Sequence, residues 1–273
     1  MSIPTITLND GHTIPQLGLG VFLMDPGITQ KHVAFALANG YRHIDTAASY
    51  GNEQEVGRAI AESGLQRDEL FVTTKLWNDR QTDAPAALAE SLDKLGLDYV
   101  DLYLIHWPTP KFDTFLDAWH SMEGLRADGL ARSIGVSNFH EKHLRRLIAE
   151  SDVVPAVNQI EVHPTLAQFD LIAVNDELGI ATEAWSPLGR KADLDNEVIV
   201  RIAERQGKSP AQVILRWHIQ RGNIVFPKSQ NPDRLKQNFD IFDFELSDDD
   251  VLAIDGIGGE NRVGPDPETF NRH

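Results

Sequence analysis

The stretch Tyr41 to Glu53, YRHIDTAASYGNE, sets a carboxylate at Asp45 and a phenol at Tyr50 on either side of a small-residue turn, Thr46 to Ser49. A phenol titrates near 10, so at neutral pH it donates a proton well but recharges poorly unless a cation stabilises the phenolate. Lys75, in TTKLW, can be that cation, and Asp45 can hold it charged and aimed. Further functional side chains close short apolar runs: His106 after VDLYLI, then Ser137 with Asn138, Gln159, Trp185 with Ser186, and Lys228 with Ser229. Taken singly, each has an ordinary explanation. Asp45 reads equally as a turn or capping residue, Tyr50 as a half-buried loop aromatic, Lys75 as a solvated strand end and His106 as a structural histidine. Ser137-Asn138 reads as a helix cap.

These residues can act together only if the fold gathers them. From Leu17 onward short strand-like runs (LGLG, HID, LFVTTK, VDLYLIH, then Ala131 to Ser137, Val157 to Gln159, Ile180 to Glu183 and Ile224 to Phe226) alternate with longer amphipathic runs, the first four read as helices around Thr29 to Asn39, Glu53 to Glu62, Ala84 to Leu95 and Phe112 to Ala127. That alternation is the signature of βαβ units and a parallel sheet, and it gives eight strands. Eight units without a linker or a composition break predict one closed (β/α)₈ barrel domain over residues 1–273, with a doubly wound open sheet as the alternative. Against the open sheet, Gly18 and Gly20 lead into Val21, Phe22 and Leu23, so the G-x-G-x-x-G fingerprint is missing. Closing the barrel puts every strand end named above on one rim, where active sites of this architecture are built. Ahead of the first strand, Thr5 to Leu8, the Asn9-Asp10-Gly11 turn and Thr13 to Pro15 read as a hairpin that plugs one end.

Composition narrows the function further. A net charge of -16 repels nucleic acid and anionic membrane surfaces, so neither is an expected partner. The absence of cysteine excludes a disulfide scaffold, a thiolate nucleophile and a cysteine-based metal site. No metal is expected on the rim. With no secretory leader pattern and no apolar run long enough to span a bilayer, the sequence reads as a cytoplasmic protein, expected to be a monomer.

The motifs GYRHIDTAASYGNE, TTKLW, LYLIHWP, IGVSNF, NQIEVHP, WSPLG and FPKS, in this order, resemble the aldo-keto reductase superfamily, and within it the bacterial reductases of 2,5-diketo-D-gluconic acid. The resemblance runs from the hairpin to Arg262-Val263-Gly264. It implies an NADP-dependent oxidoreductase with four catalytic positions: Tyr50 as general acid toward a carbonyl oxygen, Lys75 and Asp45 behind it, and His106 orienting the same oxygen. It also implies that Trp185 stacks on a nicotinamide whose carboxamide is held by Ser137, Asn138 and Gln159. Gly20 and Val21, with the Pro-containing loop Ser186, Leu188 and Gly189, complete the cofactor contacts. Lys228, Ser229 and Arg234 would hold a 2′-phosphate, and Gln237 and Asn238 the adenine edge. Asn231 departs from the pattern, since the diketogluconate reductases can carry an arginine there. NADPH is the expected cofactor, with NADH possible.

For the substrate, Phe22, Trp77 and Trp107 would wall a pocket above the cofactor, beside Tyr50 and His106. Such a wall admits aldehydes, ketones, α-dicarbonyls and keto-sugar acids. The Gly- and Pro-rich tail from Gly256 onward is expected to fold over the rim, where Arg262 is either a carboxylate partner or an ordinary surface charge. The alternative to a reductase is a catalytically idle nucleotide-binding protein on the same barrel, because a fold does not establish function.

Overall fold

The computed structural model describes residues 3–272. Two short antiparallel strands open the chain, β1 (Thr5–Thr7) and β2 (Thr13–Pro15), joined through the Asn9 to Gly11 turn. Eight parallel strands follow: β3 (Leu19–Gly20), β4 (His43–Asp45), β5 (Phe71–Leu76), β6 (Val100–Ile105), β7 (Ala131–Ser137), β8 (Val157–Glu161), β9 (Ala181–Trp185) and β10 (Ile224–Val225). Each neighbours the next in chain order. The ring closes where Leu17 bridges Val225 and the Gly18 and Gly20 amides donate to Val225 and Phe226 carbonyls at 2.7 and 3.0 Å. The expected barrel is therefore observed.

Helices α1 (Pro26–Ala38), α2 (Glu53–Glu62), α3 (Ala84–Leu95), α4 (Phe115–Ala127), α5 (Glu141–Ala149) and α6 (Phe169–Glu177) each follow one strand. After β9 come α7 (Glu197–Gln206) and α8 (Pro210–Gln220), and after β10 come α9 (Pro232–Phe239) and α10 (Asp248–Asp255). Local chemistry sets their ends. Asp25 accepts from the Gly27 amide ahead of Pro26 at the first helical position, and Ser209 with Gln212 forms a reciprocal capping box on α8. At Gly57 a Cβ would sit 2.2 Å from the Leu95 carbonyl oxygen, so only glycine lets α2 lie so close to the end of α3.

The core has two parts. Outward strand faces and inward helix faces make a continuous apolar shell containing Val33, Val72, Tyr103, Val136, Ile160 and Val213. Inside the barrel, Leu102, Leu104, Val157 and Ile224 pack with Phe71 against Leu8 and Ile14 of the hairpin. The hairpin is the floor, and burying a residue such as Ile14 contributes roughly 1.5–3 kcal/mol. Above that apolar floor the interior turns polar. Side chains alternate along a strand, so His43 with Asp45, Thr73 with Lys75, and Glu183 with Trp185 share an inner face at successive heights.

Candidate active site

Asp45 ends β4, and Lys75 is the next-to-last residue of β5 beside it. Lys75 Nζ donates to Asp45 Oδ1 and Oδ2 at 2.7 and 2.8 Å, to the Thr46 carbonyl at 2.9 Å, and to the Tyr50 hydroxyl at 3.4 Å. Both charged residues are buried, Lys75 completely. Burial alone would push the ammonium below its ordinary value. The Asp45 carboxylate, followed by the Tyr50 phenol, outweighs that penalty and holds Lys75 above its ordinary value.

Tyr50 rides on the single-turn helix Ala48–Tyr50 and is half-buried. Its loop is pinned by Asn52, whose amide donates to the Val21 and Met24 carbonyls while its oxygen accepts from the Thr46 hydroxyl at 3.1 Å. The sequence reading expected Lys75 to ease phenolate formation, yet the phenol is pushed up to about 12. Burial is the largest cause, and Lys75 offsets only part of it. Tyr50 is thus protonated at neutral pH. Because its oxygen accepts from Lys75, its own hydrogen is directed elsewhere.

His106 follows β6 and is buried, with its ring 5.8 Å from the Tyr50 ring in an edge arrangement. Burial, and then the Lys75 charge, hold His106 well below the usual imidazole range, so it is neutral. Aromatic rings wall this group. Phe22 lies 5.0 Å from Tyr50 and Trp77 5.1 Å from His106, while Trp107 stacks parallel to His106. The tail closes the wall: Phe270 packs 4.4 Å from Trp107, and the Arg272 carbonyl accepts from Asn78 at 2.7 Å. Glu268 ties the tail to His140 and Lys142 on the barrel.

Ser137, Asn138, Gln159 and Trp185 form one hydrogen-bonded group next to Asp45. Asn138 Nδ2 donates to Ser137 Oγ and the His106 carbonyl, its Oδ1 accepts from Trp185 Nε1 at 2.9 Å, and Ser137 Oγ donates to the Gln159 carbonyl. Gln159 spends both amide hydrogens on carboxyl groups, Asp45 at 2.9 Å and Glu183 at 2.8 Å. Its side-chain oxygen accepts nothing from the described residues, which leaves an acceptor for a carboxamide N–H. Gly20 and Val21 donate to the Phe226 and Asp45 carbonyls, tying the β3 end to both neighbours. The Ser186 to Lys191 loop holds left-handed backbone at Ser186, Gly189, Arg190 and Lys191.

At the β10 end, Lys228 Nζ donates to the Leu23 carbonyl at 3.0 Å, and Arg234 is exposed on α9. Neither makes an ion pair among the described residues of this acidic chain. Two unopposed cations at one helix start suit a phosphate. Ser229 and Asn238 are buried and Gln237 is exposed. Asn231, whose lack of charge stood out in the sequence, caps α9 by accepting from the Asp233 and Arg234 amides. On these counts the rim offers the aromatic face, amide acceptor and unopposed cations that a nicotinamide dinucleotide would need.

Arg262 faces Glu161 at 3.7 Å, and the Val263 and Gly264 amides donate to the same carboxylate at 2.6 and 3.0 Å. A Cβ at Gly264 would lie 2.2 Å from Trp185 Cη2, so the tail runs flush against that ring. Sequence reasoning missed Asn52, Glu161 and Glu183. Asn52 and Glu161 stood inside the quoted motifs YGNE and NQIEVHP, and Glu183 was the last residue of its strand-like run. Two cavities of about 260 and 210 Å³ lie at the opposite end, lined by hairpin residues such as Asn9 and His12 and by strand starts such as Ala181 and Phe71. Neither touches Tyr50 or Lys75.

The aldo/keto reductase family pattern matches residues 23–258. The methylglyoxal reductase DkgA of Yersinia pestis is 52% identical over 98% of this chain and 97% of its own. The morphine 6-dehydrogenase of Pseudomonas putida is 51% identical over 97% and 94% of the two chains. Among solved structures, a Bombyx mori aldo-keto reductase in complex with NADP superposes with a TM-score of 0.90 at 43% identity, covering 96% of this chain and 94% of that one.

Proposed function

This chain belongs to the aldo/keto reductase family, and from that premise we propose that it reduces small aldehydes and ketones, α-dicarbonyls and keto-sugar acids among them, with Tyr50 as the general acid. It is an NADP-dependent oxidoreductase. The observation that carries the reading is the hydrogen bonding of Lys75, buried against the Asp45 carboxylate and the Thr46 carbonyl and reaching the Tyr50 oxygen. An idle nucleotide-binding barrel has no chemical use for that arrangement.

When bound, the reduced nicotinamide supplies a hydride to the carbonyl carbon. Tyr50 gives its proton to the carbonyl oxygen, and the negative charge left on the phenolate faces Lys75, which Asp45 keeps protonated. His106, neutral, places a ring nitrogen beside the same oxygen and orients it. The wall of Phe22, Trp77 and Trp107, with Phe270 of the tail, excludes water and accepts apolar or planar carbonyl compounds. Gln159, Asn138 and Ser137 hold the carboxamide side, and Gly20, Val21, Ser186, Leu188 and Gly189 flank the cofactor. Lys228, Ser229 and Arg234 take the 2′-phosphate, with Gln237 and Asn238 at the adenine, so NADPH is preferred to NADH. The reading includes a single-domain, monomeric, cytoplasmic protein without nucleic-acid partners. It is supported by the uninterrupted barrel and a net charge of -16, and no described helix is long and apolar enough to cross a membrane.

The test is NADPH oxidation against a panel of aldehydes, α-diketones and keto-sugar acids. Turnover of at least one class is expected. Failure with every member overturns the proposal.

A further inference from the structure

Beneath the Asp45–Lys75 pair lies a second buried carboxyl, Glu183, fully enclosed on β9. Its Oε2 accepts from the Gln159 amide at 2.8 Å, and the same amide serves Asp45 Oδ2 at 2.9 Å. One neutral amide thus bridges two acids. The charged and titratable groups facing Glu183 are Asp45 and His43 from β4 and Lys75 from β5; β8 contributes Gln159, and β10 opposes it with Ile224. Lys75 is the sole cation among them, and its three hydrogens are directed at Asp45, Thr46 and Tyr50.

His43 adds no positive charge. Its Nδ1 lies 3.2 Å from the Pro15 carbonyl, which only accepts, so that nitrogen carries the hydrogen and Nε2 is a lone pair. That lone pair lies 3.5 Å from the Thr73 hydroxyl and also faces Glu183 Oε1 at 3.8 Å, and Oε1 has no hydrogen-bond partner. An ionised Glu183 would set an unpaired charge against both a lone pair and Asp45, which a low-dielectric interior does not tolerate. A proton on Oε1 removes both conflicts.

We propose that Glu183 is a positioning residue that carries a proton under the Asp45–Lys75 pair, so that Tyr50 acts above a neutral barrel interior rather than a negative one. The inference rests on Tyr50 being the acid. Burial first, and then the Asp45 charge, push the Glu183 carboxyl up to about 8, in keeping with the geometry. When Glu183 ionises, the added negative charge, passed along the Gln159 bridge, opposes phenolate formation and slows reduction.

The first readout is turnover against pH with NADPH and any substrate from the panel. From about pH 7 to about pH 9 the wild type is expected to lose about tenfold more turnover than Glu183→Gln, whose amide keeps the shape but cannot ionise. Superimposable profiles overturn the proposal. The second readout needs neither a variant nor a substrate. In protein labelled on glutamate side-chain carboxyls, NMR is expected to show one glutamate still protonated near pH 7 and titrating above it. The glutamate label leaves Asp45 and Asp101 silent. A spectrum with every glutamate ionised near pH 7 overturns the proposal even if the enzyme is active, whereas absent turnover with a protonated glutamate counts against the reductase reading alone.

Discussion

Two lysines at strand ends behave in opposite ways. Lys75 is sealed in the barrel yet held above its ordinary value, because both oxygens of the Asp45 carboxylate lie against its ammonium. Lys228 is exposed at the mouth yet lies below its ordinary value, because partial burial acts on it with no carboxylate alongside. Partnering, more than exposure, decides what each charge can do. The interior around Tyr50 is assembled in advance, with Lys75 and Gln159 both bonded to Asp45 before any ligand arrives. The β10–α9 edge, with Lys228 and Arg234, is left open for an anion to complete.

That contrast can be broken from the inside first. Lys75→Met leaves Asp45 buried without its cation, which costs roughly 3–5 kcal/mol of stability. It also withdraws the charge that stabilises phenolate, so turnover is expected to fall by about a thousandfold or more. Denaturant midpoints and turnover on the same preparation check both. A variant of wild-type stability and rate would mean that the pair is not the organising feature.

A smaller effect is expected at the open edge. Arg234→Ala removes a charge-assisted contact of about 1.5–3 kcal/mol, which weakens NADPH binding about ten- to a hundredfold and leaves NADH nearly unchanged. The comparison is made at one ionic strength, because an exposed contact is screened by salt. Equal weakening of both cofactors would place Arg234 on the shared adenosine part. The smallest effect is expected at an exposed pair with no site nearby. Arg145 bridges Glu141 and Glu177 on the helix surface, and Arg145→Ala is expected to leave the melting temperature and turnover within error of wild type.

The barrel was legible because short apolar runs alternate with longer helical ones, of which α2, α5 and α7 carry a clear amphipathic period. Helices at Glu53–Glu62 and Ala84–Leu95 fall where the pattern puts them. Boundaries moved where caps decide: Asp25 and Pro26 start α1 earlier than the expected Thr29, and Thr114 starts α4 later than Phe112. In the site, residue types at strand ends drew notice to Asp45, Lys75 and His106, since closure of the ring brings such ends together, while the family resemblance supplied the roles expected of them and of Tyr50. The direction of the Tyr50 shift was not legible, because it depends on how much water the wall of Phe22, Trp77 and Trp107 removes. Glu183 was hidden for a similar reason. Its meaning lies in a contact with Gln159 across the sheet and with His43 across the barrel, and a linear pattern of apolar residues carries neither.

The central claim is that Tyr50 delivers the proton while the surrounding group holds its shape. Tyr50→Phe keeps the ring against Phe22 and His106 and leaves the Asp45–Lys75 pair intact. Reduction under single-turnover conditions should slow by at least about a hundredfold, with the NADPH dissociation constant within about twofold of wild type. Near-normal reduction by Tyr50→Phe would contradict the account.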